Sequence, residues 1–138
     1  MSKFEINKSE RLKHKKEIHS LFIRENYLNV SPFKTIYQVN LSAPKFSLKF
    51  LISVPKAKIK HSVKRNLVKR RIKEAYRKNK HILLNAFEEK NIKINIAFVY
   101  NTDVILKYDI IESKIILILQ RLKIIIEKNV KQNTYITD

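Results

Sequence analysis

Between Lys60 and Lys80 the chain carries ten Lys or Arg and a single acid, Glu74. Within that run Val63, Leu67, Val68, Ile72, Ala75 and Tyr76 recur at steps of one, three and four. That is the helical period, and it leaves one stripe to bury. Arg65, Asn66, Lys69, Arg70, Lys73 and Arg77 fall on the other side. The stretch therefore predicts a helix that needs a core against one face and presents a rigid cationic ridge on the other. Ser62 is a candidate N-cap, and Arg65 stands three residues on, where a capping box would place an acid. Cations beside a helix N-terminus add side-chain charge to free backbone donors, a combination suited to phosphate.

The rest of the chain has to supply the core. Ser9 is a candidate N-cap for a first helix running to about Glu25, with Leu12, Ile18, Leu21 and Phe22 apolar. Asn26 to Pro32 reads as a turn or loop. Phe33, Thr35, Tyr37, Val39 and Leu41 then alternate with Lys34, Ile36, Gln38 and Asn40, a strand period. Phe46 to Val54 resumes the alternation after Ala43-Pro44-Lys45, and so short a connector predicts an antiparallel hairpin. Pro55 ends that strand, because it cannot donate to a ladder. Lys80 to Lys90 reads either as a continuation of the basic helix or as a short second helix. Ile92 to Tyr100 is a third strand. Asp109 is a candidate cap for a very apolar last helix reaching about Lys128, with a frayed tail after Val130. The order α-β-β-α-β-α predicts one α+β domain over residues 1–138, its ordered core at about 9–128. Glycine is absent, so turns needing positive φ must fall to Asn, Asp or Lys, or be avoided.

Charge narrows the partner. Thirty Lys or Arg against twelve Asp or Glu give a formal charge of +18, a self-repulsion that a polyanion relieves. Nucleic acid is the first candidate, an anionic membrane surface the second, and a merely basic protein the third. Lys outnumbers Arg 23 to 7, a bias that genome composition can produce, so the clustering on one helix carries more weight than the total. Lys56, Lys58, Lys60 and Lys64, with His61, extend the cationic surface around the start of that helix. At 44% apolar content the chain can build a core, unlike a disordered cationic tail. No run of 18 apolar residues occurs and no secretory signal follows Met1, so a cytoplasmic protein without a membrane role is expected.

Protein-centred catalysis finds little support. Cysteine is absent, which removes disulfides, thiol chemistry and cysteine-based zinc modules. His14, His19, His61 and His81 are scattered, and the acids form no paired-metal motif. Phe22 reads first as a core residue of the first helix, and alternatively as an aromatic facing a groove, able to stack on a base.

From Arg65 to Arg77 the residues run Arg-Asn-Leu-Val-Lys-Arg-Arg-Ile-Lys-Glu-Ala-Tyr-Arg. This order resembles the protein component of bacterial ribonuclease P, whose pattern there is Arg-Asn-Arg-x-Lys-Arg followed by a basic residue, Glu, Ala, an aromatic and Arg. The likeness takes in Glu10-Arg11-Leu12-Lys13 with Ile18 and Phe22, and Leu51-Ile52-Ser53-Val54-Pro55-Lys56, so it spans about residues 9–127. It implies an α/β sandwich with a left-handed βαβ crossover, against the general right-handed rule. It implies a subunit that binds a catalytic RNA and the 5′ leader of precursor tRNA, while RNA and Mg²⁺ carry the cleavage. Arg65, Asn66, Lys69, Arg70, Lys73 and Arg77 would then meet the catalytic RNA. Phe22, Tyr37 and Ile18 would line the leader groove, flanked by Lys56 and Lys58. Two positions depart from the pattern: Leu67 stands in place of its third residue, Arg, and Lys60-His61 in place of Gly-Asn. Arg71 is the nearest candidate to replace the lost guanidinium. A general structured-RNA-binding or ribosome-associated protein is the alternative of a different class.

Overall fold

In the computed structural model, which describes residues 5–23 and 26–137, the sheet is organised around its last strand. Strand β4 (Lys93–Tyr100) lies inside a four-stranded sheet of order β1-β2-β4-β3, with β1 at Tyr27–Val30, β2 at Phe33–Asn40 and β3 at Ser47–Ser53. Its pairing with β2 is antiparallel and with β3 parallel. The central place follows from its residues: Ile94, Ile96, Phe98 and Tyr100 are buried on one face and Asn95 and Ala97 on the other. Only an interior strand is covered on both sides in this way.

This topology corrects the expected hairpin. β2 and β3 do run in opposite senses, but β4 is inserted between them. The connector from Leu41 to Phe46 steps over the start of β4, a gap of about 10 Å at the usual strand spacing. Ala43 N–H donates to the Asn91 carbonyl at 3.2 Å and Ser47 N–H to that of Ile92 at 3.0 Å, which fix the crossing. A second correction concerns Asn26 to Pro32. Tyr27–Val30 forms β1, antiparallel to β2 with Tyr27 opposite Ile36 and Val30 opposite Phe33. The flanking Asn and Pro residues make four strand residues look like loop.

Helices α2 (Ser62–Asn79), α3 (His81–Phe87) and α4 (Tyr108–Thr137) cover one face of the sheet. Val68, Ile72, Ala75 and Tyr76 of α2 meet Phe50, Ile96 and Phe98 in a single core with Leu83, Phe87 and the Ile-rich face of α4. Tyr76 stacks obliquely on Phe50, ring centroids 4.5 Å apart, and meets Phe98 edge-on at 5.6 Å. Such contacts add to the area term rather than replace it. Val63, expected in the buried stripe, is 79% exposed, because at 100° per residue it lies about 20° from Arg70, on the outward side of α2. Leu67 is half-buried. Lys80 is both the C-cap of α2 and the N-cap of α3, its backbone still in the right-handed helical region, so α3 follows as a separate short helix. Helix α4 begins at Tyr108 with Asp109 in its first turn, and runs on to Thr137 instead of ending near Lys128.

The N-terminal segment differs most from the expected single helix. Lys8–Glu10 is a 3-10 turn, with Ser9 inside it rather than capping. Arg11 then bridges β3 at Phe50, and Leu12 N–H donates to the Phe50 carbonyl at 2.9 Å. Helix α1 starts only at Lys15 and reaches Ile23, and its expected end at Glu25 lies outside the described residues. The reason is Leu12: the extended segment covers the edge of β3 and places that side chain in a small second core with Leu21, Ile36 and Ala97. Helix α1 therefore covers part of the second face of the sheet.

Candidate nucleic-acid interface

Helix geometry places Asn66, Arg70, Lys73 and Arg77 within about 60° of one another around the α2 axis, opposite the buried stripe, with Lys69 at their flank. Asn66, Lys69 and Arg70 are exposed, and Lys73 and Arg77 are half-buried. Lys73 and Arg77 share a shallow groove with Arg70 and Glu74 and with Glu5 and Ile6 of the N-terminal segment. Glu74 is not a free acid in this surface. Its two carboxylate oxygens accept from the Arg77 guanidinium at 2.6 and 2.9 Å. That pairing holds the Glu74 carboxyl below its ordinary value and raises Arg77 above its own. Arg77 thus enters any RNA contact already oriented by Glu74.

The start of α2 is arranged differently from the expectation. His61, not Ser62, is the N-cap, and no side chain caps the helix. Instead Arg65 folds back, its Nη1 donating to the carbonyls of Ile59 at 3.1 Å and Lys60 at 2.5 Å. Arg65 therefore stiffens the loop that leads into the helix. The Pro55 carbonyl accepts from the amides of Lys58 and Ile59, a tight turn that leaves Lys56, Lys58, Lys60, His61 and Lys64 exposed around the helix N-terminus. Buried Ile59 is its apolar anchor.

Two cations of the run are structural. Arg71, the candidate substitute for an arginine at position 67, donates to the Leu106 carbonyl at 2.6 Å and ties down the loop between β4 and α4. Lys80 is buried, as the contacts of its ammonium with Glu10 and the Glu5 carbonyl require. Charge counting along the sequence cannot separate such residues from the ridge. Their helical angle could have flagged Arg71, which lies about 100° from Arg70 on the side away from Asn66.

The second face of the sheet supplies another polar surface. Pairing register sets Gln38, Asn95 and Lys49 in one row, and Asn40, Lys93 and Ser47 in the next. Helix α1 lies over them. The Glu17 carboxylate stands 2.7 Å from the Lys93 ammonium and 3.6 Å from that of Lys49, while Gln38 Nε2 donates to Ser20 Oγ at 3.2 Å. The Lys93 contact, more than any other, holds the Glu17 carboxyl below its ordinary value. Lys16, Glu17, Ser20, Gln38, Asn40, Lys93 and Asn95 line a small polar cleft here.

The three residues expected to share a leader groove do not share one surface. Ile18 packs into the small core under α1, and Phe22 remains 45% exposed near the helix end. Tyr37 pairs in register with Ile96 and packs on the main core, on the opposite face of the sheet. The period of two makes the reason plain: Ile36, not Tyr37, points to the α1 side. The aromatic on that face is Tyr27 of β1, opposite Ile36, which the loop reading of Asn26 to Pro32 concealed.

A family model described as Ribonuclease P matches residues 6–123. Ribonuclease P protein components from two strains of Porphyromonas gingivalis are each 37% identical over 100 residues, covering 72% of this chain and 73% of theirs. Among solved structures, an RNase P protein from Thermotoga maritima superposes with TM-score 0.62 at 18% identity, over 81% of this chain and 96% of that one. A Staphylococcus aureus RNase P protein gives 0.60 at 18%, over 84% and 97%. These likenesses at low identity concern the fold.

Proposed function

This chain belongs to the ribonuclease P protein family, and we propose that its α2 ridge meets the catalytic RNA while the α1 face of its sheet meets the substrate. As the family's protein subunit it works with a catalytic RNA on precursor tRNA, and the hydrolysis itself belongs to the RNA partner. The observation that carries the assignment of the ridge is the set of outward cations on α2. Lys69 and Arg70, with Asn66 between the turns, have no protein partner among the described residues, and Arg77 is held in place by Glu74. Lys73 completes that face, Lys56, Lys58, Lys60, Lys64 and His61 extend it around the helix N-terminus, and Arg65 joins this extension from the loop carbonyls that it holds. A rigid helix that holds Arg70 outward and Arg77 pre-oriented by Glu74 favours bidentate phosphate contacts.

Cleavage chemistry is assigned to RNA with Mg²⁺. That division rests on the family to which the chain belongs. The protein's part is to bind, to position and to lower the charge repulsion between two RNAs. On the substrate side we assign the leader to the face that carries α1, with Phe22 as an exposed ring; Ile18 supports it from the core, and Tyr37 drops out of this set. The parallel β3–α2–α3–β4 connection is read as a left-handed crossover on the strength of the resemblance. A cytoplasmic location is part of this proposal, as the place where a catalytic RNA and precursor tRNA would be met.

Reconstitution tests the function. The chain, added to its cognate catalytic RNA at low Mg²⁺, stimulates removal of the 5′ leader from precursor tRNA. A chain that binds many structured RNAs alike and stimulates nothing is instead a general RNA-binding protein.

A further inference from the structure

The sheet face that α1 partly covers has a partly exposed row, with an aromatic ring beside its β1 end. Register places Asn29, Lys34, Val99 and Ser53 side by side across all four strands. At normal strand spacing the row is about 14 Å long. The adjoining row holds Tyr27, Ile36, Ala97 and Leu51. Ile36 and Ala97 are buried with Leu21 of α1, whereas Tyr27, at the β1 end, is 48% exposed. Lys34 Nζ sits 4.7 Å from the centre of the Tyr27 ring. At its far end the row meets Ser53, from which the chain passes through Pro55 to the exposed Lys56 and Lys58.

We propose that Tyr27 is a base-stacking residue: one nucleobase of the single-stranded leader lies on its ring, Lys34 neutralises the adjoining phosphate, and the row carries the strand toward Lys56. This inference rests on the function proposed above. An aromatic face beside a cation, on a surface with few acids, suits single-stranded nucleic acid, because stacking accepts any base and the ammonium takes the backbone. Lys34, on β2, also has a structural role, because its ammonium packs on the Tyr27 ring and holds the two strands' side chains together. The two roles separate when folding and binding are read independently.

The test uses the holoenzyme reconstituted with its catalytic RNA. Affinity is measured for precursor tRNA bearing a leader of several nucleotides and for mature tRNA without one. Tyr27→Ala weakens the leader-bearing substrate about tenfold and leaves mature tRNA unchanged, Tyr27→Phe binds as the wild type, and the free proteins melt together. Tyr27→Leu, which keeps an apolar side chain, repeats the loss if Tyr27→Ala folds poorly. A leader preference kept intact by Tyr27→Ala or Tyr27→Leu overturns this inference alone, as does an equal loss on both RNAs. A wild-type holoenzyme that binds the two RNAs alike overturns it together with the leader assignment from which it starts.

Discussion

The Lys80 ammonium stands 2.7 Å from Glu10 Oε1, and the lysine side chain is 3% exposed. The same ammonium donates to the Glu5 carbonyl, and Glu10 Oε2 accepts from the Asn7 amide at 2.6 Å. One buried cation thus fastens the N-terminal segment to the corner between α2 and α3. Glu10→Gln leaves that cation without its counter-charge, and the expected loss is about 3 kcal/mol of folding stability. Urea denaturation measures it, and an unchanged midpoint would contradict the clasp.

Arg71 separates structure from binding. Arg71→Ala removes a charged donor from the Leu106 carbonyl and costs about 1–2 kcal/mol of stability. The salt dependence of affinity for the catalytic RNA stays as in the wild type, because Arg71 is spent on the protein. A slope reduced by one phosphate contact would place Arg71 on the RNA instead.

Glu17 gives the docking of α1 a pH dependence. The folded-state value of its carboxyl is depressed, chiefly by the Lys93 ammonium against it, so its contribution is present above the ordinary carboxylate value and is lost as pH falls through the folded one. Glu17→Gln is expected to cost about 1 kcal/mol at neutral pH. Thermal melts of the two proteins converge as pH falls below the ordinary carboxylate range. A constant difference across that range would remove the Lys93 contact as its cause.

Tyr76 carries a hydroxyl that the core does not need. The side chain is fully buried, its Oη has no hydrogen-bond partner among the described residues, and burial raises its pKa. Tyr76→Phe keeps the stacking on Phe50 and Phe98 and removes an unsatisfied polar atom. It is expected to stabilise the fold by about 1 kcal/mol, read by denaturation. A destabilisation would mean that the hydroxyl is satisfied in solution.

Periodicity alone made α2, the strand cores of β2, β3 and β4, and the apolar face of α4 legible, because each has a long run with one clear period. Strand order was less legible. The short connector after Asn40 argued for a hairpin, while the signal against it lay in β4, whose Ile94, Ile96 and Phe98 on one face and Ala97 on the other demand cover on both sides. β1 was hidden because four residues are too few to show a period and Asn26, Ser31 and Pro32 frame them as a turn. In the ridge, residue type marked the surface but not the partner of each cation. Lys80 and Arg71 look like Lys69 and Arg70 in sequence, and only packing reveals that a carboxylate or a carbonyl has claimed them. The face of Tyr37 was a matter of register: one step along a strand moves a ring to the other face.

The most direct test of the central claim is the salt dependence of binding between the full chain and its catalytic RNA, compared with Lys69→Ala/Arg70→Ala. The account predicts that the double variant folds with unchanged stability, binds more weakly, and has a slope of log affinity against log salt about two phosphate contacts shallower. Equal slopes for the two proteins would contradict it, and the α2 ridge would not be where the RNA lies.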